Sequence, residues 1–225
     1  MKRPFPHTLV VGVVAAIAAA CATATQGPSP GSLRPATGAS PPPPPAQARV
    51  DSGRPRYTAA DAQFMSGMIH HHAQAVLIAG WAPSHGANRA VRALCERIVV
   101  GQRDEIVLMQ RWLRDRHETI PDVDTTRGSM PGMYHPVMMP GMLTAEQLGQ
   151  LDSARGAEFD RLFLTLMIRH HQGAITMVSQ LFGTRGSGEE ETVFKFASDV
   201  YADQSTEISR MQQMLATLLF EGRGQ

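Results

Sequence analysis

Methionine and histidine are combined twice in this 225-residue chain, in Phe64-Met65-Ser66-Gly67-Met68-Ile69-His70-His71-His72 and in Phe163-Leu164-Thr165-Leu166-Met167-Ile168-Arg169-His170-His171. Thioether and imidazole side chains grouped in this way are donors for a soft metal cation. Asp61 aligns with Asp160, Phe64 with Phe163, Met68 with Met167, His71 with His170, His72 with His171 and Ala75 with Ala174, all without a gap. The two stretches therefore read as duplicated halves of one fold.

Helical periodicity sets the direction in which these donors point. At 3.6 residues per turn, Met65, Met68, Ile69, His72, Ala75, Val76 and Ala79 fall in one arc with His72 near its middle. His71 sits at the edge of that arc beside Phe64, and His70 lies on the opposite side, where the second copy carries Arg169. By the same geometry Met167 and His171 face inward and His170 sits at the rim. Further along, Gln102, Glu105 and Met109 recur as Gln204, Glu207 and Met211, each set sharing a face with apolar residues. An inward carboxylate must be paired, and the histidines are the expected partners of Glu105 and Glu207. A glutamate that accepts the N–H of a histidine holds its tautomer and leaves the other ring nitrogen for a metal.

Two readings compete for these residues. Methionine commonly fills irregular bundle cores, and the whole set then amounts to a polar layer bonded to itself. The repetition of Met-x-x-x-His opposite Gln-x-x-Glu-x-x-x-Met favours a metal. Cys95 is also expected to point inward, and its counterpart Ala197 marks it as a small buried hydrophobe rather than a ligand.

Between the halves, Met130, Met133, His135, Met138, Met139 and Met142 stand in a Gly/Pro framework without helical period. Neutral thioethers bind Cu(I) or Ag(I) without first losing a proton, so this loop is either an ion-capturing segment or one that folds its methionines onto the core.

The elements that position these residues follow from caps and breakers. Thr58-x-x-Asp61 opens a first helix that runs towards Pro83, and a second spans about Asn88 to His117. Pro121 to Leu143 reads as loop. Thr144-x-x-Gln147 caps a short helix leading through Gly156 into the long helix of the second motif, and Ser187-x-x-Glu190 is expected to cap a last helix bearing Phe194, Ala197, Val200, Glu207, Met211, Met214 and Leu218. Each half is then a helical hairpin, and two hairpins make an all-α four-helix bundle.

Upstream of the bundle the chain changes character. Lys2 and Arg3 precede an apolar run from Leu9 to Ala20, too short to span a bilayer and suited to a secretory signal. Ala18-Ala19-Ala20 before Cys21 resembles a lipoprotein cleavage site, although Ala18 stands where such sites usually carry Leu. Ordinary signal-peptidase cleavage is the alternative. The expected organisation is a signal peptide at 1–21, a Pro/Gly/Ser-rich linker at 22–57 and the bundle at 58–225. Formal net charge is +1 and no basic stripe marks a nucleic-acid surface. With only Cys21 and Cys95, there is no disulfide framework.

At Phe64-Met65-x-x-Met68-Ile69-x-His71-His72-x-x-Ala75, Gln102-x-x-Glu105-Ile106-x-x-Met109, Pro140-Gly141-Met142 and Phe159-Asp160-x-x-Phe163-Leu164-x-x-Met167-Ile168-x-His170-His171-x-Gly173-Ala174, the chain resembles a bacterial family of exported domains of unknown function that includes CopM-like copper-binding proteins. The resemblance implies a ferritin-like four-helix bundle and the binding of copper or silver ions in the periplasm or outside the cell. Ala73-Gln74 stands where the second copy has Gln172-Gly173, which makes the first half-site the expected weaker one.

The reading is therefore an exported protein, periplasmic or at the cell surface and lipid-anchored if Cys21 is modified, that sequesters or transfers Cu(I) and can take Ag(I). Met65, Met68, His71, His72, Met109, Met167, His170, His171 and Met211 are the expected ligands, with Gln102, Glu105, Gln204 and Glu207 behind them. Metal ions are the expected partners, and the membrane only through a lipid. The alternatives are a ferritin-like di-metal oxidase and a non-metal structural bundle. An oxidase of that kind calls for several carboxylates and Glu-x-x-His pairs, and neither histidine pair has a glutamate three residues before it.

Overall fold

The computed structural model describes residues 57–123 and 139–221. Five helices are present in them and no strand: α1 (Ala59–Ala79), α2 (Arg89–Arg114), α3 (Ala145–Ser153), α4 (Gly156–Gly183) and α5 (Glu191–Glu221). The expected signal segment with Cys21, almost all of the linker, and Met130, Met133, His135 and Met138 lie outside the described residues.

The helix starts follow local chemistry. Thr58 and Asp61 form a reciprocal capping box at α1, and Thr144 and Gln147 form another at α3; in each, two orphan backbone N–H groups are satisfied at once. The Asn88 side chain accepts from the N–H groups of Ala90 and Val91 to begin α2. At α5 the expectation of a Ser187 cap is corrected. The Glu190 carboxylate accepts from Val193 N at 3.0 Å, and the Ser187 hydroxyl instead meets that of Thr58 at 3.1 Å. The inward face of α5 then runs through Val193, Phe196, Ala197, Val200 and Gln204. Phe194, expected inside, is 56% exposed and rests against Phe182 at the surface, because one residue along a helix turns about 100° away from the buried stripe.

α1 packs on α2 and α4 on α5, and the two hairpins meet mainly through α1 and α4. Their apolar residues form two clusters. One unites the end of α1 (Ala75 to Ala79), the start of α2 (Val91 to Ile98), the start of α4 (Phe159 to Ile168) and Ile208 and Met211 of α5. The other unites the start of α1 (Phe64 to Ile69), the end of α2 (Ile106 to Leu113), the far part of α4 (Ala174 to Leu181) and the start of α5 (Val193 to Val200). These memberships make α1 antiparallel to both α2 and α4, and α4 antiparallel to α5. α2 therefore ends and α4 begins at opposite ends of the bundle, with α3 laid against α4, an order shared with ferritin-like bundles that need one long crossover.

The repeat extends to the fastenings. Asp61 in the first turn of α1 accepts from Gly188 N, at 2.7 Å, just ahead of α5. Asp160, near the start of α4, accepts from Asn88 N and Nδ2 ahead of α2, the latter at 2.8 Å. At one end, Glu190 accepts from Trp112 Nε1 at 3.1 Å and from Arg116 Nη2 at 2.9 Å. The Arg116 guanidinium lies over the rings of Tyr57 and Trp112.

Candidate metal centre

Between the two apolar clusters runs a belt of polar side chains at mid-length of all four long helices. Its backbone is a row of four imidazoles. His72 and His71 on α1 have ring centroids 6.4 Å apart, His71 and His170 of α4 approach to 3.8 Å across the helix interface, and His170 and His171 are 6.3 Å apart. All four are fully buried. This corrects the expectation that His71 and His170 sit at the rim: α1 and α4 meet along the edge of each apolar stripe, and that edge becomes the midline of the bundle.

The row ends in carboxylates. His72 Nε2 lies 2.7 Å from Glu105 of α2, and His171 Nε2 lies 2.7 Å from Glu207 of α5. The second contact is an aligned hydrogen bond. The first has the distance of an ion pair without that alignment, since His72 Nε2 still counts among the atoms lacking a hydrogen bond. The two contacts nonetheless match in length, and both glutamates are 25% exposed. Despite the differing residues at 73–74 and 172–173, neither half is the poorer at this contact.

Tautomers follow from the acceptors. His71 Nε2 lies 3.0 Å from the carbonyl of Pro140, which can only accept, so Nε2 carries the hydrogen. The carboxylates place the proton of His72 and His171 on Nε2 in the same way. With the hydrogen on Nε2, the neutral form of such a ring has its lone pair on Nδ1, and Nδ1 of His71, His72 and His171 has no partner among the described residues. Neither nitrogen of His170 has one. Burial, reinforced by His72, brings the His71 pKa down to about 3. Burial first, then His71, His171 and His72, holds His170 well below the ordinary imidazole range, against an opposing influence of the nearby His71 backbone that falls short of a hydrogen bond. Both rings are neutral at pH 7. Leaving a buried polar atom unbonded costs about 1–3 kcal/mol, so this belt is either a costly polar core or one prepared for an electron-pair acceptor.

A strap of residues 140–143 holds the belt from one side. Besides the bond from His71 to Pro140, Gln74 brackets Leu143: its Nε2 donates to the Leu143 carbonyl at 3.1 Å, and its Oε1 accepts from Leu143 N at 2.7 Å. On the α4 side the strap runs so close that a Cβ on Gly173 would overlap the Pro140 carbonyl carbon at 2.5 Å and Gly141 Cα at 2.6 Å. Gly141 itself has φ 78°, which favours a residue without Cβ. The departure of Ala73-Gln74 from Gln172-Gly173 thus has a packing reason. One strap serves two halves, so one half supplies the clamp and the other the space. Gln74, Pro140, Gly141 and Gly173 are the positioning residues that periodicity alone does not single out; the Pro-Gly pair and the mismatch between the copies were the available signal.

Met65, Met68, Met109, Met167 and Met211 are each fully buried. Met68 and Met167 stand one helical turn before His72 and His171, and Met109 and Met211 one turn after Glu105 and Glu207. Met65, Met68 and Met109 border the belt from one cluster, Met167 and Met211 from the other. No three His, Cys, Asp or Glu side chains among the described residues are grouped to hold an ion, so an ion in the belt needs the thioethers. Cys95 is buried as expected, its thiol pushed up by burial and then by Asp160, which keeps it protonated. Of the loop methionines, Met142 is buried and Met139 packs against the second cluster. Of the two readings of this loop, these two residues follow the one in which methionines fold onto the bundle. His70 lies outside the belt, lining a surface groove with Met139 and Met177.

Residues 61–215 match the sequence profile of a domain of unknown function, DUF305. The fold is similar to the crystal structure of a DUF305 fragment from Deinococcus radiodurans, at 28% identity and a TM-score of 0.60 over 72% of this chain and 99% of that one. It is also similar to CopM in its Cu(I)-bound form, at 26% identity and a TM-score of 0.53 over 72% of this chain and 98% of CopM. CopM in an Ag-bound form matches likewise, at 26% identity and a TM-score of 0.53 over 70% and 96%. No curated protein matches this sequence.

Proposed function

The chain belongs to the DUF305 family, and we propose that it is an exported copper-binding protein whose mid-bundle belt takes up Cu(I), and Ag(I) as its analogue, for sequestration or transfer. The observation that carries this reading is the row of fully buried imidazoles whose Nδ1 atoms have no partner, bordered by buried thioethers. A belt serving structure alone would spend its nitrogens on hydrogen bonds. Neutral imidazole and thioether donors suit Cu(I) and Ag(I) and release no proton on binding. CopM, similar over most of this chain, has been solved with Cu(I) and with Ag.

In this reading His71, His72, His170 and His171 offer nitrogen, and Met65, Met68, Met109, Met167 and Met211 offer sulfur. Glu105 and Glu207 hold the rings in the tautomer that keeps Nδ1 free. The strap fixes His71. Burial keeps water from the soft ion. Export accords with the expected signal segment, and no helix among the described residues is long and apolar enough to cross a membrane.

The test is an anaerobic Cu(I) titration against a competing chromophoric chelator, on the protein and on the double variant His72→Ala/His171→Ala. Stoichiometric uptake by the protein and its loss in the variant are expected; unchanged affinity in the variant would remove the belt as the site.

A further inference from the structure

The glutamates that end the histidine row also reach the surface. Glu105 and Glu207 line a hollow of about 190 Å³ between α2 and α5, together with Asp203, Gln102, Gln204 and Arg97. Three carboxylates face a single guanidinium there. They share one electrostatic field across the two helices, for burial first and then Glu105, Asp199 and Glu207 raise the pKa of Asp203. Gln102 and Gln204 are only 4% and 3% exposed, yet both amide atoms of Gln102 and the amide oxygen of Gln204 have no partner among the described residues. Buried amides left unbonded at the floor of an acidic hollow call for a polar occupant. No three of the carboxylates and histidines are grouped to chelate an ion, so the hollow attracts charge rather than storing it.

We propose that this hollow is the access route for the metal: its carboxylates concentrate cations at the α2–α5 surface, its two glutamine amides bind the water shell the cation brings, and Glu105 and Glu207 lead it to His72 and His171. The proposal rests on the copper reading of the belt. The row begins at Glu105 and ends at Glu207, and both border the same hollow, so a cation arriving there reaches either half of the repeat. Low-dielectric walls carrying one sign of charge focus the field and raise the rate of association, in a manner that salt suppresses. Oxygen donors hold soft Cu(I) weakly, so a cation passes through rather than stopping.

The experiment follows loading of Cu(I) from its fast-exchanging acetonitrile complex by anaerobic stopped-flow absorbance, at low and high ionic strength. The carboxylates that pair with the row are Glu105 and Glu207, so Asp203→Asn should reach the same final stoichiometry while loading roughly three- to tenfold more slowly at low salt. Asp203→Lys should be slower still, and both differences should shrink at high salt. Asp104→Asn, which removes an exposed carboxylate of α2 outside the hollow, should load like the parent. If both Asp203 variants load at the parent rate with the parent salt dependence, the access route is overturned while the copper reading stands. If the parent takes up no Cu(I), the reading of the belt fails, and this inference with it.

Discussion

His71 and His170 lie ring against ring with centroids 3.8 Å apart, one with its Nε2–H on the Pro140 carbonyl and the other with neither nitrogen bonded. Folding buries both in the neutral form. Their unfolded counterparts titrate near the ordinary value of 6.5, whereas His71 in the fold does so at about 3 and His170 well below 6.5. Between these values the unfolded chain binds more protons, so stability is complete above pH 6.5 and is lost as pH falls towards 3. Each ring contributes a slope of up to about 1.4 kcal/mol per pH unit. Urea denaturation of metal-free protein between pH 6.5 and 5, above most carboxylate titration, should show this decline; a flat profile there would contradict neutral burial.

The thioethers separate packing from ligation. Met109→Leu/Met211→Leu keeps core volume nearly constant and should cost less than about 1.5 kcal/mol per site. Cu(I) affinity should nonetheless fall, because leucine has no donor atom. A pair of isothermal denaturation and competition titrations checks this, and retention of full affinity would return these two methionines to the role of core filler.

Equal contacts at Glu105 and Glu207 predict equal consequences. Glu105→Gln and Glu207→Gln should each weaken Cu(I) binding by about tenfold to a hundredfold, since a neutral amide no longer enforces the Nε2–H tautomer. If only one variant had an effect in the competition assay, the two halves would be inequivalent despite their matching 2.7 Å contacts.

Gly173→Ala tests the strap. A methyl group there overlaps backbone atoms of Pro140 and Gly141, and overpacking of this kind costs about 1–3 kcal/mol. Far-ultraviolet circular dichroism should be retained while the thermal midpoint falls.

At the bundle end, Glu190→Ala removes the acceptor for Trp112, Arg116 and Val193 N. A loss of about 2–3 kcal/mol is expected, with Cu(I) stoichiometry unchanged because the belt lies in the middle of the helices. Denaturation and metal titration on the same preparation read both.

Much of the arrangement was legible from contiguous residues. The Thr58–Asp61 and Thr144–Gln147 boxes, the start of α2 at Asn88, the inward His72 and His171 and their pairing with Glu105 and Glu207 all follow from caps, a 3.6-residue period and the need to pair a carboxylate. These are properties of one helix, or of one repeat compared with the other. Ser187 misled because a capping pattern can start in more than one register, and Phe194 because it stands one residue, about 100°, from the buried Val193.

By itself, then, the sequence determined two hairpins, their donors and the partners of those donors. Tertiary structure decided which donors meet. His71 and His170 stand at the edge of their own helical stripes, and they become the centre only because α1 and α4 touch along those edges. Whether an edge faces water or another helix is set by where the second hairpin docks, and that docking depends on contacts between residues far apart in the chain. The Gly173 clearance and the Gln74 clamp on residues 140–143 arise in the same way, since no local rule anticipates a strap that one half must hold and the other must admit.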